Sequence, residues 1–158
     1  MQGSNTKVGT FVPTIHRATV IAFEGCEMGF LRRLFGFEPT SNLAPGRGWI
    51  VPVVGESHFQ DALQLAYRKN GGSGHDIKVS AALVPEDDNA YDPNAVRVEI
   101  DSRGVGYLPR EMGLEYRAAL GESIGQCSAK IVGGFELDDG SSAHFGVKLN
   151  LAWPPRMK

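Results

Sequence analysis

PEDDNAYDPNAVRVEIDSRGVGYLPRE, residues 85–111, is the stretch whose reading decides the fold. It opens with an acidic segment, Glu86 to Asn94, rich in Asp, Asn and Pro. Asn and Asp side chains bond nearby backbone and Pro presets φ, so this segment is a turn. Ala95 to Ile100 then alternates apolar and charged residues at the period of a half-buried strand. Asp101 to Gly104 is a turn signal, and Val105 to Leu108 is the returning strand of a hairpin. Pro109-Arg110-Glu111 starts a helix, with Pro near its first position and an acid in its first turn. Tyr91 and Asp92 thus sit together on a loop feeding a rigid strand pair, where a small binding site can be built. A turn-capping Asp92 with Tyr91 packed on the barrel fits the same pattern, and the residues alone leave both readings open.

Working outward, Ile77 to Val84 is a strand leading into the acidic turn. Before it, Trp49 to Val54 is a strand in which Pro52 marks an edge or a beginning. Ser57 and Gln60 have capping-box spacing for a helix carrying Phe59, Ala62, Leu63, Ala66 and Tyr67 on one face. That helix ends at Asn70-Gly71-Gly72. The Gly-rich run 70–74 lacks a Gly-Lys-Ser/Thr ending and precedes a strand, so it is a connector and not a phosphate loop. After Pro109, Met112, Tyr116, Ala119 and Leu120 give a short amphipathic helix, weakened by Gly113. Cys127 to Val132 and Phe135 to Leu137 are strand around a Gly133-Gly134 kink. Asp138 to Ser141 turns the chain, and His144 to Trp153 is the closing strand. Upstream, residues 1–9 are expected to fray, 16–23 to form a strand, and 26–37 a short amphipathic helix packed on its own domain. Residues 38–48 read as a connecting loop. The division is an N-terminal extension over 1–48 packing on the barrel, a barrel over 49–153 and a tail over 154–158. Many short strands, tight turns and few helices imply a mainly β chain closed into a small antiparallel barrel.

A chain of 158 residues is one domain by size. Its formal net charge of −2 bears on partners, because proteins held by long phosphate tracks are usually basic. Either the partner is not nucleic acid or its recognition is local. Cys26 and Cys127 lie far apart without metal-ligand spacing, which implies two reduced thiols. No apolar run approaches the roughly 20 residues that span a bilayer, and the polar start lacks a secretory core, so a cytoplasmic location is expected. The carboxylates Glu86, Asp87, Asp88 and Asp92 could hold Mg²⁺, but no general base or second ligand set accompanies them. A Gly-x-Ser-x-Gly elbow is absent too, so the expectation is a non-enzyme without cofactor or metal.

The turn and hairpin resemble the HIRAN domain, whose core is an N-x-Y-D-x-N-A turn leading into a strand and a V-G-x-L return. Here these are Asn89, Tyr91, Asp92, Asn94 and Ala95, then Val105, Gly106 and Leu108. Val53 to Gln60 resembles the family's opening, and the resemblance runs from about Trp49 to Trp153. It implies an OB-like antiparallel β-barrel with two or three short peripheral helices. It also implies capture of the 3′-hydroxyl end of single-stranded DNA in a pocket lined by Tyr91 and Asp92, with Asn89 in the same turn. The late-strand aromatic that stacks on a terminal base falls on Phe145, and the basic residue after the return strand falls on Arg110. An early arginine–aromatic pair falls near Ser57, His58 and Phe59; the arginine is absent and His58 and Phe59 take the aromatic places. Repair or replication-fork processing follows as the role, with a helicase or nuclease as protein partner and a monomeric state. The rival reading is a protein–protein interaction module that keeps the barrel without DNA.

Overall fold

The computed structural model describes residues 41–158, so the expectations for 1–9, 16–23 and 26–37 lie outside the described residues. The strands are β1 (Ser41–Asn42), β2 (Val51–Pro52), β3 (Ile77–Pro85), β4 (Val96–Ile100), β5 (Arg103–Tyr107), β6 (Gly125–Val132) and β7 (Gly146–Asn150). The helices are α1 (Gln60–Lys69) and α2 (Arg110–Leu120), with a 3₁₀ turn over Glu56–His58 ahead of α1. The chain is mainly β, as its short alternating segments require.

One sheet holds all seven strands, in the order β2-β7-β6-β3-β4-β5, with β1 joined to β6. Every pairing is antiparallel except β1 with β6, which is parallel. Past β2 the chain reaches the opposite edge, where Val54 and Tyr107 exchange backbone hydrogen bonds of 2.8 and 2.9 Å. Residues 51–54 therefore serve both ends of the curled sheet, and the OB-like barrel closes through them. Closure leaves no long unpaired edge at β5.

Alternation explains the inside. Val96, Val98 and Ile100 of β4 point inward with at most 1% exposure, between half-exposed Arg97 and Glu99. Cys127, Ala129 and Ile131 of β6 and Val147 and Leu149 of β7 complete that face. α1 buries Leu63, Ala66 and Tyr67, and α2 buries Gly113 and Tyr116. The β4–β5 hairpin turns at Asp101 and Ser102, both with positive φ (51° and 62°), the backbone that matches the twist of a two-residue connection.

Several local expectations are corrected. The Ser57/Gln60 capping box does not form: Ser57 lies in the 3₁₀ turn, and the N-cap of α1 is Phe59, without a side-chain cap bond. The Gln60 amide instead bonds Phe145 in both directions, accepting from its N–H at 2.9 Å and donating to its carbonyl at 3.0 Å. A long-range tie thus replaces the local cap. Trp49 to Val54 shortens to β2 and the Val54 bridge, and the closing strand shortens to Gly146–Asn150. Phe135 to Leu137 forms no strand, only a bridge between Glu136 and Ser142. The loop over 38–48 contains β1, and in the tail Met157 bridges Leu43 while the Lys158 N–H donates to the Asn42 carbonyl at 2.8 Å.

Candidate nucleic-acid interface

The acidic turn between β3 and β4 is built around Asn89. Its Oδ1 accepts the backbone N–H groups of Tyr91 and Asp92 at 3.0 and 3.1 Å, the side-chain bonding that makes Asn a turn residue. Its Nδ2 donates to Glu86 at 3.0 Å, and Glu86 in turn pairs with Arg97 of β4. Asp92 closes the far side: its Oδ1 accepts the Asn94 N–H at 2.9 Å, and its carbonyl accepts the Ala95 N–H at 3.0 Å. The turn is thereby fixed to the strands that flank it.

α2 supports the turn from below. An added Cβ at Gly113 would lie 2.8 Å from the Asn94 carbonyl oxygen, so only glycine lets the turn seat this closely on the helix. Sequence propensity marks Gly113 as a weakness of the helix; in the structure it is the condition of the contact. Arg110 Nε donates to Asp92 Oδ2 at 3.3 Å, and Arg110 Nη2 donates to the Tyr91 carbonyl at 3.0 Å. Seven residues on, on the same helix face, Arg117 donates to Asp87 at 2.5 Å and to the Pro93 carbonyl at 3.3 Å. Arg117 is missing from the residues singled out in the sequence, although its two-turn spacing from Arg110 was visible there.

Asn89, Tyr91, Asp92 and Arg110 are therefore brought together. Tyr91 is 90% exposed, so it does not pack on the barrel. Beside it the Arg110 side chain is 74% exposed and the Asp92 carboxylate only 18%. Arg110 uses two of its five N–H donors within the turn, which leaves three. Asp92 accepts two bonds where an ionised carboxylate offers about four lone-pair sites. An aromatic face, a cation and a carboxylate thus meet at one loop–helix junction.

The other residues singled out lie around α1. His58 is exposed on the 3₁₀ turn. Phe59 is half-buried with its ring 6.2 Å from that of Tyr107. Phe145 is half-buried, its ring 5.0 Å from that of Tyr67, and it packs against the core. Tyr107 stands three residues before Arg110 in the chain, a backbone span of at most about 11 Å. Among the described residues no group of three or more His, Cys, Asp or Glu is gathered to hold a metal, and no helix is long and apolar enough to cross a membrane. Burial pushes the Cys127 thiol up to about 12 and raises the Tyr116 phenol well above its ordinary range. Both groups are therefore protonated at neutral pH.

Residues 53–134, more than half of the chain, match the family model of the HIRAN domain. No curated protein and no solved structure matches the chain. The matched span contains the whole Asn89–Arg110 constellation and leaves Phe145 outside it. With that turn seated on an OB-like barrel inside the matched residues, the chain belongs to the HIRAN domain family, which points to nucleic-acid binding.

Proposed function

We propose that the chain captures the free 3′ end of single-stranded DNA at the Tyr91–Asp92–Arg110 junction. The observation that carries this is a solvent-facing Tyr91 ring beside a carboxylate–guanidinium pair held rigid by Asn89 and α2. A base stacks on the tyrosine, worth about 1–3 kcal/mol without choosing sequence. The remaining donors of Arg110 take the last phosphate. Asp92 accepts from the terminal hydroxyl, since a carboxylate can only accept. Half-buried Phe59 and exposed His58 offer further aromatic rings to the strand.

The chain acts as a binding module without catalysis of its own, in the cytoplasm, at DNA ends handled by a helicase or nuclease partner during repair or fork processing. Titration of a labelled oligonucleotide, single-stranded against blunt duplex of the same sequence, tests the reading. Single strands are expected to bind better, because a duplex end must first fray. Equal binding, or a Tyr91→Ala variant indistinguishable from the parent, would contradict it.

A further inference from the structure

The outer face of the sheet carries a row of lysines that no sequence pattern displays. In the strand register Lys78 of β3 stands directly opposite Lys130 of β6, and Lys130 stands directly opposite Lys148 of β7. Side chains alternate faces along a strand, and the flanking rows Ile77–Ile131–Val147 and Val79–Ala129–Leu149 point into the barrel, Val79 being partly buried against the core. The three lysines therefore project outward together, with Cα atoms roughly 5 Å apart from strand to strand. Like charges directly opposite each other on a sheet are destabilising. Among the described residues the row has one carboxylate in ion-pair range, Asp76, 3.8 Å from Lys130.

Two further features make this face more than a cluster of charge. The Trp49 ring lies over the row, with the ammonium groups of Lys130 and Lys78 at 5.3 and 5.9 Å from its centroid. The next outward row, Ser80–Ser128–Asn150, is also in register and offers hydroxyl and amide groups. Cations, an aromatic face and neutral hydrogen-bonding groups in adjacent rows are the means by which sequence-tolerant surfaces hold a sugar–phosphate strand. In a chain with a net charge of −2, this concentration of positive charge is local.

We propose that the Lys78–Lys130–Lys148 row is a second contact surface, which holds the phosphates of the same nucleic-acid strand some way from its captured end. The inference rests on the nucleic-acid reading above but not on the Tyr91 pocket. Lys78 is seven residues along β3 from Pro85, where the acidic turn begins, a distance of about 23 Å. A strand within the footprint of about 4–16 nucleotides typical of OB-type folds can reach from one to the other.

The test is the triple variant Lys78→Gln, Lys130→Gln, Lys148→Gln, titrated with 3′-hydroxyl oligothymidylates of about 4 and about 16 nucleotides. Each phosphate contact to a single strand contributes about 0.7 to the salt slope, so three contacts steepen it by about 2. For the long strand the parent is expected to lose roughly 20-fold more affinity than the variant between about 50 and 200 mM salt. The short strand is expected to bind both proteins alike. Relief of the lysine repulsion is expected to offset the lost Trp49 and Asp76 contacts and keep the variant's melting temperature within a few degrees of the parent's, which controls for misfolding. The corresponding triple Arg variant is expected to keep the steep slope.

An unchanged slope for the long strand, with the short strand still bound, would overturn the lysine row and leave end capture standing. Loss of short-strand binding with a lysine-dependent long strand would support the row and sink end capture. Binding of poly-glutamate or phosphatidylserine vesicles, with neither strand bound by the parent, would overturn both.

Discussion

Alanine at position 113 sets two effects against each other. Helix propensity favours the change, since Ala is better than Gly in a helix interior by about 0.8–1.0 kcal/mol. Packing opposes it. The new Cβ would stand 2.8 Å from the Asn94 carbonyl oxygen and 4.0 Å from the Val96 nitrogen. The Val96 contact is ordinary, but the Asn94 oxygen is a backbone atom that cannot swing aside as a side chain would, and overpacking of this kind costs about 1–3 kcal/mol. Packing therefore wins, by up to about 2 kcal/mol, with the turn pushed off α2 by some tenths of an ångström. Because the Asn94 N–H is bonded to Asp92 at 2.9 Å, the shift carries Asp92 away from Arg110. Gly113→Ala is expected to lower the melting temperature by a few degrees, at roughly 4 °C per kcal/mol for a chain of this size. Single-stranded DNA affinity is expected to fall with it. Thermal denaturation and fluorescence anisotropy on the same preparation read both. A higher melting temperature with unchanged affinity would show that propensity prevails and that the turn is not seated on the helix as described.

Asn89→Ala removes the acceptor of two backbone N–H groups and the donor to Glu86, and is expected to destabilise the fold by about 1–3 kcal/mol, read by urea denaturation, while weakening DNA binding. Tyr91→Ala, at a residue 90% exposed, is expected to leave stability within about 0.5 kcal/mol and to weaken every single strand by about 1–3 kcal/mol. Stability is also expected to decline at alkaline pH. Burial raises the Cys127 thiol from 9.0 to about 12, so above the lower value the unfolded chain gives up a proton that the folded chain keeps. That contribution is full below pH 9 and drains away towards pH 12, on the order of 1.4 kcal/mol per pH unit, whereas Cys127→Ser is expected to flatten the decline.

The hairpin and the acidic turn were legible because period-two alternation and turn chemistry are local properties of residues 85–108. Tyr91 and Asp92 stood together in the same stretch, whereas Asn89 and Arg110 joined them only through the HIRAN resemblance. Gln60 misled for a physical reason: its spacing from Ser57 fits a local cap, but its amide bonds the Glu56 carbonyl and, 85 residues away, the backbone of Phe145. Phe59 accordingly sits at a helix cap over Tyr107 and not on the helix face. Closure through Val54 was hidden as well, since it depends on which residues meet across the barrel. Register hides the lysine row most completely: Lys78, Lys130 and Lys148 are unremarkable singly and become a row only when β3, β6 and β7 align. A net charge of −2 argued against a long basic track but could not locate a local one, because a sum over the chain carries no positions.

The central claim is that Asp92 and Tyr91 recognise a terminal hydroxyl. Anisotropy titrations with matched short single strands, differing only in a 3′-hydroxyl or a 3′-phosphate, test it most directly. The hydroxyl strand is expected to bind more tightly, because the phosphate sets added negative charge against the Asp92 carboxylate and takes away the donor which that carboxylate accepts. In Asp92→Asn the difference is expected to narrow, since an amide also donates and carries no charge. Equal affinity for both ends in the parent protein would contradict the account.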